Sequence, residues 1–453
     1  MDLASLAPLH ARASAVEEWS NVPFMKHPAT GCLLVMLAGG CSGAPATTPG
    51  AEDAGLEPAH ADAAAVDRGR TADDAGAPQD APAVTVAPDG AAAPDAAGPA
   101  DAAAAPAGWW DAKWTKRSRI TISDPALKEE LGDFQIPVRL AAPAIDYAAA
   151  KSAGEDLRFV ADGVVLKHQI DAWNAGGTSL VWLLVPRLGP APVVVSLYYG
   201  NKDASAPAAA DTAAVWPEPY TGVWHLSGDG KDASPHGHDG MQMVGGSFVE
   251  GQLGRGLQLD GGKREHILLK PDIKLVAGAP GCTFSAWINP TRIEDSVNGM
   301  IIMTVGKWFN NNHNSYTDFN INAAGQMISH VDPGPNMAAS GYARILSDAG
   351  FVKTNEWAWV TYVIDLPAKE ERFFKNGQLV STKPPPAGKA WAPAFIDMVS
   401  TRVVIGAEED IVSHFYTGSM DELRIEKGMR TPAWIAAQYR AMTVPGYVTT
   451  EAE

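Results

Sequence analysis

Adjacent carboxylates are the first residues in this chain whose types could do chemistry. Glycoside hydrolysis needs two carboxyl groups roughly 5–10 Å apart. On a strand that means acidic residues at i and i+2 or i+4, which share a face. Glu408, Glu409 and Asp410 are contiguous, as are Asp421 and Glu422, so neighbouring side chains are expected on opposite faces. Neither run supplies the pair, and the chain is read as a non-enzyme. His225, His236 and His238 raise a transition metal, because His-x-His places both rings on one side of an extended chain. No cysteine or third well-spaced ligand accompanies them, so a solvated turn is the plainer reading. Cys282, inside an apolar run, reads as a buried strand residue rather than a nucleophile. The run from Trp308 to Tyr316 differs. Aromatic faces stack on sugar rings while amides hydrogen-bond hydroxyls, and this run supplies both. Trp308, Phe309, Asn311, Asn312 and Asn314 are the candidate ligand-binding residues; the alternative is a polar hairpin connection whose aromatics return to the core.

The elements that must position these groups are β-strands. The chain has 453 residues, room for two or three domains. A net charge of −17 with no run of Lys and Arg excludes nucleic acid as a partner. Three cysteines cannot make a disulfide framework. Positions 1–41 read as an upstream extension and a signal, with a basic start at Met25-Lys26-His27 and an apolar run too short to span a bilayer. Positions 42–107 are Ala, Pro, Gly and Asp with hardly a large apolar side chain, the composition of a disordered, extended tether. From Gly108 to Trp216 short alternating runs such as Arg119-Ile120-Thr121-Ile122 predict a small antiparallel β-sandwich. Positions 217–445 read as a larger jelly-roll sandwich, with 446–453 a tail, so the fold class is all-β. Asn376-Gly377 is the strongest hairpin signal. Thr431-Pro432 opens an N-capped helix.

Three resemblances add to this reading. Leu37-Ala38-Gly39-Gly40-Cys41 resembles the lipobox of bacterial lipoproteins, with Ala38 where that family prefers Leu. It implies cleavage and lipidation at Cys41, hence an extracytoplasmic, membrane-anchored location at the outer membrane or cell surface. Glu155-Asp156-Leu157-Arg158-Phe159, Ile170-Asp171-Ala172-Trp173 and Tyr198-Tyr199-Gly200-Asn201 resemble a domain of unknown function that precedes laminin-G-like domains in bacterial surface proteins. Trp224-His225-Leu226, Cys282-Thr283-Phe284-Ser285-Ala286-Trp287-Ile288 and Gly418-Ser419-Met420-Asp421-Glu422-Leu423 resemble the laminin-G-like jelly roll of concanavalin-type lectins. That resemblance implies a structural Ca²⁺ held by Asp232, Asp421 and the carbonyl of Gly418. The alternative is that Asp421 only caps backbone amides. Together the resemblances imply a surface binding or adhesion protein whose partner is a glycan or a surface protein. A structural spacer and a glycoside-active enzyme remain the other readings.

Overall fold

The strand Ser179–Leu188 shows how the molecule is layered. Val181, Leu183 and Val185 point into one apolar core, while Leu180 and Trp182 point into another. Successive side chains alternate between faces, so this strand is buried on both, and a layer must lie on either side. The computed structural model describes residues 108–271, 273–293, 299–306, 316–332, 343–389, 391–395 and 402–453. Its strands form four antiparallel sheets stacked in succession.

The first sheet is five-stranded, in the order Val448–Ala452, Lys116–Ile122, Val193–Tyr199, Arg158–Ala161, Val164–Val165. It faces a three-stranded sheet, Leu131–Leu140, Ser179–Leu188, His168–Ala172, across the core of the small sandwich. The outermost strand, Val448–Ala452, lies in the segment expected to be a tail. It pairs with Lys116–Ile122 over five residue pairs, because Thr450 and its neighbours extend the free edge there. The far face of the three-stranded sheet meets the eight-stranded sheet of the jelly roll. Leu180 and Trp182 pack there with Val223, Trp287 and Trp359, joined by Trp216 from the link between the domains. The eight-stranded sheet is centred on Gly418–Lys427 and Gly281–Pro290, and it packs on the seven-stranded sheet around a core that includes Phe284, Phe319, Tyr362 and Ile425.

Local signals placed the turns and caps. Asn376 and Gly377 take φ of 53° and 77°, joining Glu370–Lys375 to Gln378–Lys383. Thr431 caps the helix Pro432–Thr443 by accepting a hydrogen bond from the Trp434 amide at 3.2 Å. That helix sends Trp434, Ala437 and Ala441 into the small-sandwich core and sets Ile435 against Val363 and Phe374 of the jelly roll.

Candidate functional site

The central strand Gly418–Lys427 carries a β-bulge where the chemistry gathers. Ser285 pairs with Arg424, yet Trp287 pairs with Asp421, so one strand advances two residues and the other three. The extra residue is Glu422, at φ 52°. Strict alternation predicts Asp421 and Glu422 on opposite faces; the inserted residue overturns that expectation. Both carboxylates turn away from the jelly-roll core, which Met420, Leu423 and Ile425 enter. With Arg424 and Glu426 they give the face toward the small sandwich four charged side chains, each at most 1% exposed.

Each carboxylate has its own partners. Glu422 Oε1 lies 2.8 Å from His225 Nδ1, and its Oε2 accepts from Arg424 Nη2 at 2.7 Å. His225 Nε2 lies 3.1 Å from Gln169 Oε1, which also accepts from Trp216 Nε1. Trp182 stacks on the imidazole at 5.8 Å between centroids. The Arg424 guanidinium sits among Trp182, Trp216 and Trp359 at 4.7–5.5 Å. Asp421 Oδ2 accepts the amides of Gln252 and Leu253. Gln169, Asp171 and Trp182 belong to the small sandwich, whereas His225, Glu422 and Arg424 belong to the jelly roll, so the network crosses the domain junction.

The electrostatics follow from that placement. Burial opposes charge on His225, but the carboxylates of Glu422 and Asp171 outweigh it and push the imidazole up to about 9. Burial also opposes charge on Glu422, and His225 with Arg424 hold it below the usual carboxylate range. Asp171 is raised, chiefly by burial. Asp421 lies well above the ordinary range for the same reason, with Glu422 adding repulsion. His225 is therefore an imidazolium at neutral pH, donating to Glu422 and to Gln169. Asp171, His225 and Glu422 offer ligand atoms within 4.8 Å of one another. A metal there would have to displace the His225 proton and sit beside the Arg424 guanidinium; the donor set favours the ion-paired network.

An open cavity of about 360 Å³ lies over this network, between His168–Ala172 and the loop 226–233. Gln169, Asp171, His225, Ser227, Asp229 and Asp232 line it. Ser227 Oγ donates to Asp171 Oδ1 at 2.5 Å, while Asp171 Oδ2 is buried with no hydrogen-bond partner among the described residues. The walls are rich in acceptors, which suits a ligand rich in hydroxyl or amine donors.

The residues singled out in the sequence fall in different places. Asp232 organises its own loop. Its Oδ1 accepts the amides of Val223 and Ser234, and its Oδ2 accepts the Ser234 hydroxyl and the His238 amide. Gly418 and Asp421 lie on the strand Gly418–Lys427, whereas Asp232 sits in the loop 226–233, and the Asp421 carboxylate accepts the Gln252 and Leu253 amides. His236 and His238 stack on each other at 5.5 Å, and His238 Nδ1 lies 2.7 Å from the Thr221 carbonyl oxygen. Glu408 lies 2.6 Å from His414 Nδ1. Cys282 is buried, with its thiol pushed up by burial. Trp308, Phe309, Asn311, Asn312 and Asn314 lie outside the described residues, as does Cys41. The segment holding those five connects the neighbouring strands Met300–Gly306 and Tyr316–Ile321. Sequence reasoning passed over Gln169, Asp171 and Arg424; the signal available was a run of charges inside an otherwise apolar strand.

Residues 260–436 match the family model described as the concanavalin A-like lectin/glucanases superfamily. No curated protein matches the chain. Similar solved structures include domain 4 of AbnA, an extracellular arabinanase of Geobacillus stearothermophilus, in complex with arabinotriose. It is 14% identical, at TM-score 0.36, covering 49% of this chain and 98% of that one. The binding domain of a Paraclostridial mosquitocidal protein is 14% identical, at TM-score 0.38, covering 49% of this chain and 52% of that one. The carbohydrate-binding module of a Ruminococcus gnavus sialidase, bound to α2,3-sialyllactose, is 17% identical, at TM-score 0.29, covering 44% and 98%. Residues 260–436, most of the jelly roll, thus carry a domain of the concanavalin A-like lectin/glucanase superfamily.

Proposed function

We propose that this chain is a non-catalytic binding protein, displayed on the cell surface through a lipid at Cys41, and that its ligand is a glycan or glycosylated partner. The observation that carries the reading is the cavity between the domains, where Asp171 keeps a buried carboxylate oxygen without a partner. Hydrogen bonds from sugar hydroxyls to an ionised carboxylate are about twice as strong as neutral ones. The rest of the site argues against catalysis. His225, the only imidazole in the charged cluster, is protonated and held on both sides, so it has no lone pair with which to take a proton. The superfamily match agrees with a lectin but does not select one, since fold does not fix function.

The test is a glycan array probed with the full-length chain, run in calcium and in chelator, alongside Asp171→Asn. A set of glycans should bind the wild type, and Asp171→Asn, checked to be folded at the assay temperature, should weaken them about tenfold, a loss of about 1.4 kcal/mol. An array with no binder in either condition, or binders indifferent to Asp171→Asn, overturns the assignment of the cavity. Arms in calcium and chelator show whether the ion expected from the sequence takes part.

A further inference from the structure

Strand His168–Ala172 borders a second cavity, of about 260 Å³, within the small sandwich. Arg158, Lys167, His168, Pro207 and Asp211 bound it. His168 is 4% exposed, and its Nε2 is buried without a hydrogen-bond partner. The ring packs on Phe159 at 5.0 Å. Burial first, then the Arg158 charge, lowers its pKa to about 4, so the ring is neutral at pH 7. The neutral ring carries one N–H and one lone pair, so Nε2 can pair with a hydroxyl in either tautomer. Among the described residues nothing bonds Nε2.

The charges beside it are net positive, in a chain whose overall charge is −17. Arg158 donates to the carbonyls of Glu155, Leu157 and Ser205, which leaves two of its five N–H groups free. Lys167 pairs with Asp211 at the rim. A buried, unpartnered imidazole nitrogen that a hydroxyl would satisfy thus stands beside cations that require an anion.

We propose that this cavity binds a small hydroxylated carboxylate, its hydroxyl hydrogen-bonded to His168 Nε2 and its carboxylate meeting Arg158 and Lys167. A uronic acid residue and a free hydroxy acid share that chemistry. The site is separate from the cavity between the domains and stands or falls independently of the glycan reading there.

Isothermal titration of the full-length chain with sodium glucuronate, sodium lactate and glucose tests it. Glucuronate should bind and glucose should not; lactate binding as well as glucuronate assigns the site to free hydroxy acids, and weaker lactate binding assigns it to sugar acids. His168→Phe should weaken glucuronate at least tenfold. Asp211→Asn, which removes the like charge at an exposed rim, should tighten it several-fold. Asp171→Asn, in the other cavity, should leave it unchanged. No glucuronate binding to the wild type, or binding unmoved by Asp211→Asn, overturns the proposal, and that second variant decides if His168→Phe does not fold.

Discussion

His225 joins two domains through one proton, and that gives the junction a pH dependence whose sign is fixed. The imidazole titrates near 9 in the folded chain, against about 6.5 unfolded. A raised histidine contributes stability in full below about pH 6.5, and that contribution is lost as pH rises through about 9. His225→Phe should destabilise the protein at pH 7 by about 3–5 kcal/mol, because it leaves the buried Glu422 carboxylate with Arg424 alone. Thermal melts from pH 6 to 10 should show the gap between wild type and variant closing toward pH 10; a constant gap would refute the charged histidine. Glu371 adds a second pH dependence, developing between about pH 4.5 and 8, for a different reason. It lies in the jelly-roll core, 2.5 Å from Ser329 Oγ, and burial pushes its carboxyl up to about 8. Keeping it protonated at pH 7 costs about 3 kcal/mol relative to a group that never ionises, while near pH 4 the cost vanishes. Glu371→Gln should therefore stabilise the protein at neutral pH and leave it unchanged at pH 4, as chemical denaturation at the two pH values would show.

Among the elements, the hairpin and the helix cap were legible in the sequence because their causes are local. Asn376-Gly377 needs positive φ at two adjacent residues, and Thr431-Pro432 caps a helix through its own next turn. Strands buried on both faces, such as Ser179–Leu188, require a cover on each. What covers them was not legible: Trp182 and Trp216 reach the eight-stranded sheet from the preceding domain, and no periodicity records that. Glu422 was missed because alternation assumes one residue per step, which a bulge breaks. His225 and Glu422 meet across 197 positions, so neither announces the other. The turn has a further role that only the packing shows. A Cβ on Gly377, at φ 77°, would lie 2.8 Å from Tyr439 Cβ in the C-terminal helix. Gly377→Ala should thus cost about 1–3 kcal/mol, combining backbone strain with overpacking. A midpoint shift in denaturant of no more than a few tenths of a kcal/mol would mean that the helix does not press on the turn.

For the whole molecule, the path of the last twenty residues decides whether two sandwiches behave as two domains or one. The chain leaves the jelly roll, runs through the helix Pro432–Thr443 that packs on both domains, and returns as Val448–Ala452 to the edge of the five-stranded sheet. Tyr447 and Arg440 both reach the buried carboxylate of Asp124 on the way. The junction itself buries Trp182, Trp216, Trp287 and Trp359, each at most 2% exposed, together with the charged network of His225. Separate domains joined by a linker would unfold independently, whereas an interface this large and apolar couples them. Calorimetry should accordingly show one cooperative transition for residues 108–453, not two. Deleting residues 446–453 removes the edge strand, and Tyr447 with its bond to Asp124, both of which pack in the small sandwich. If the two sandwiches form one cooperative unit, that deletion lowers the temperature of the single transition. If they do not, it splits off a low-temperature peak for the small sandwich and leaves the jelly roll melting where it did, and the coupling argued from the junction would be refuted.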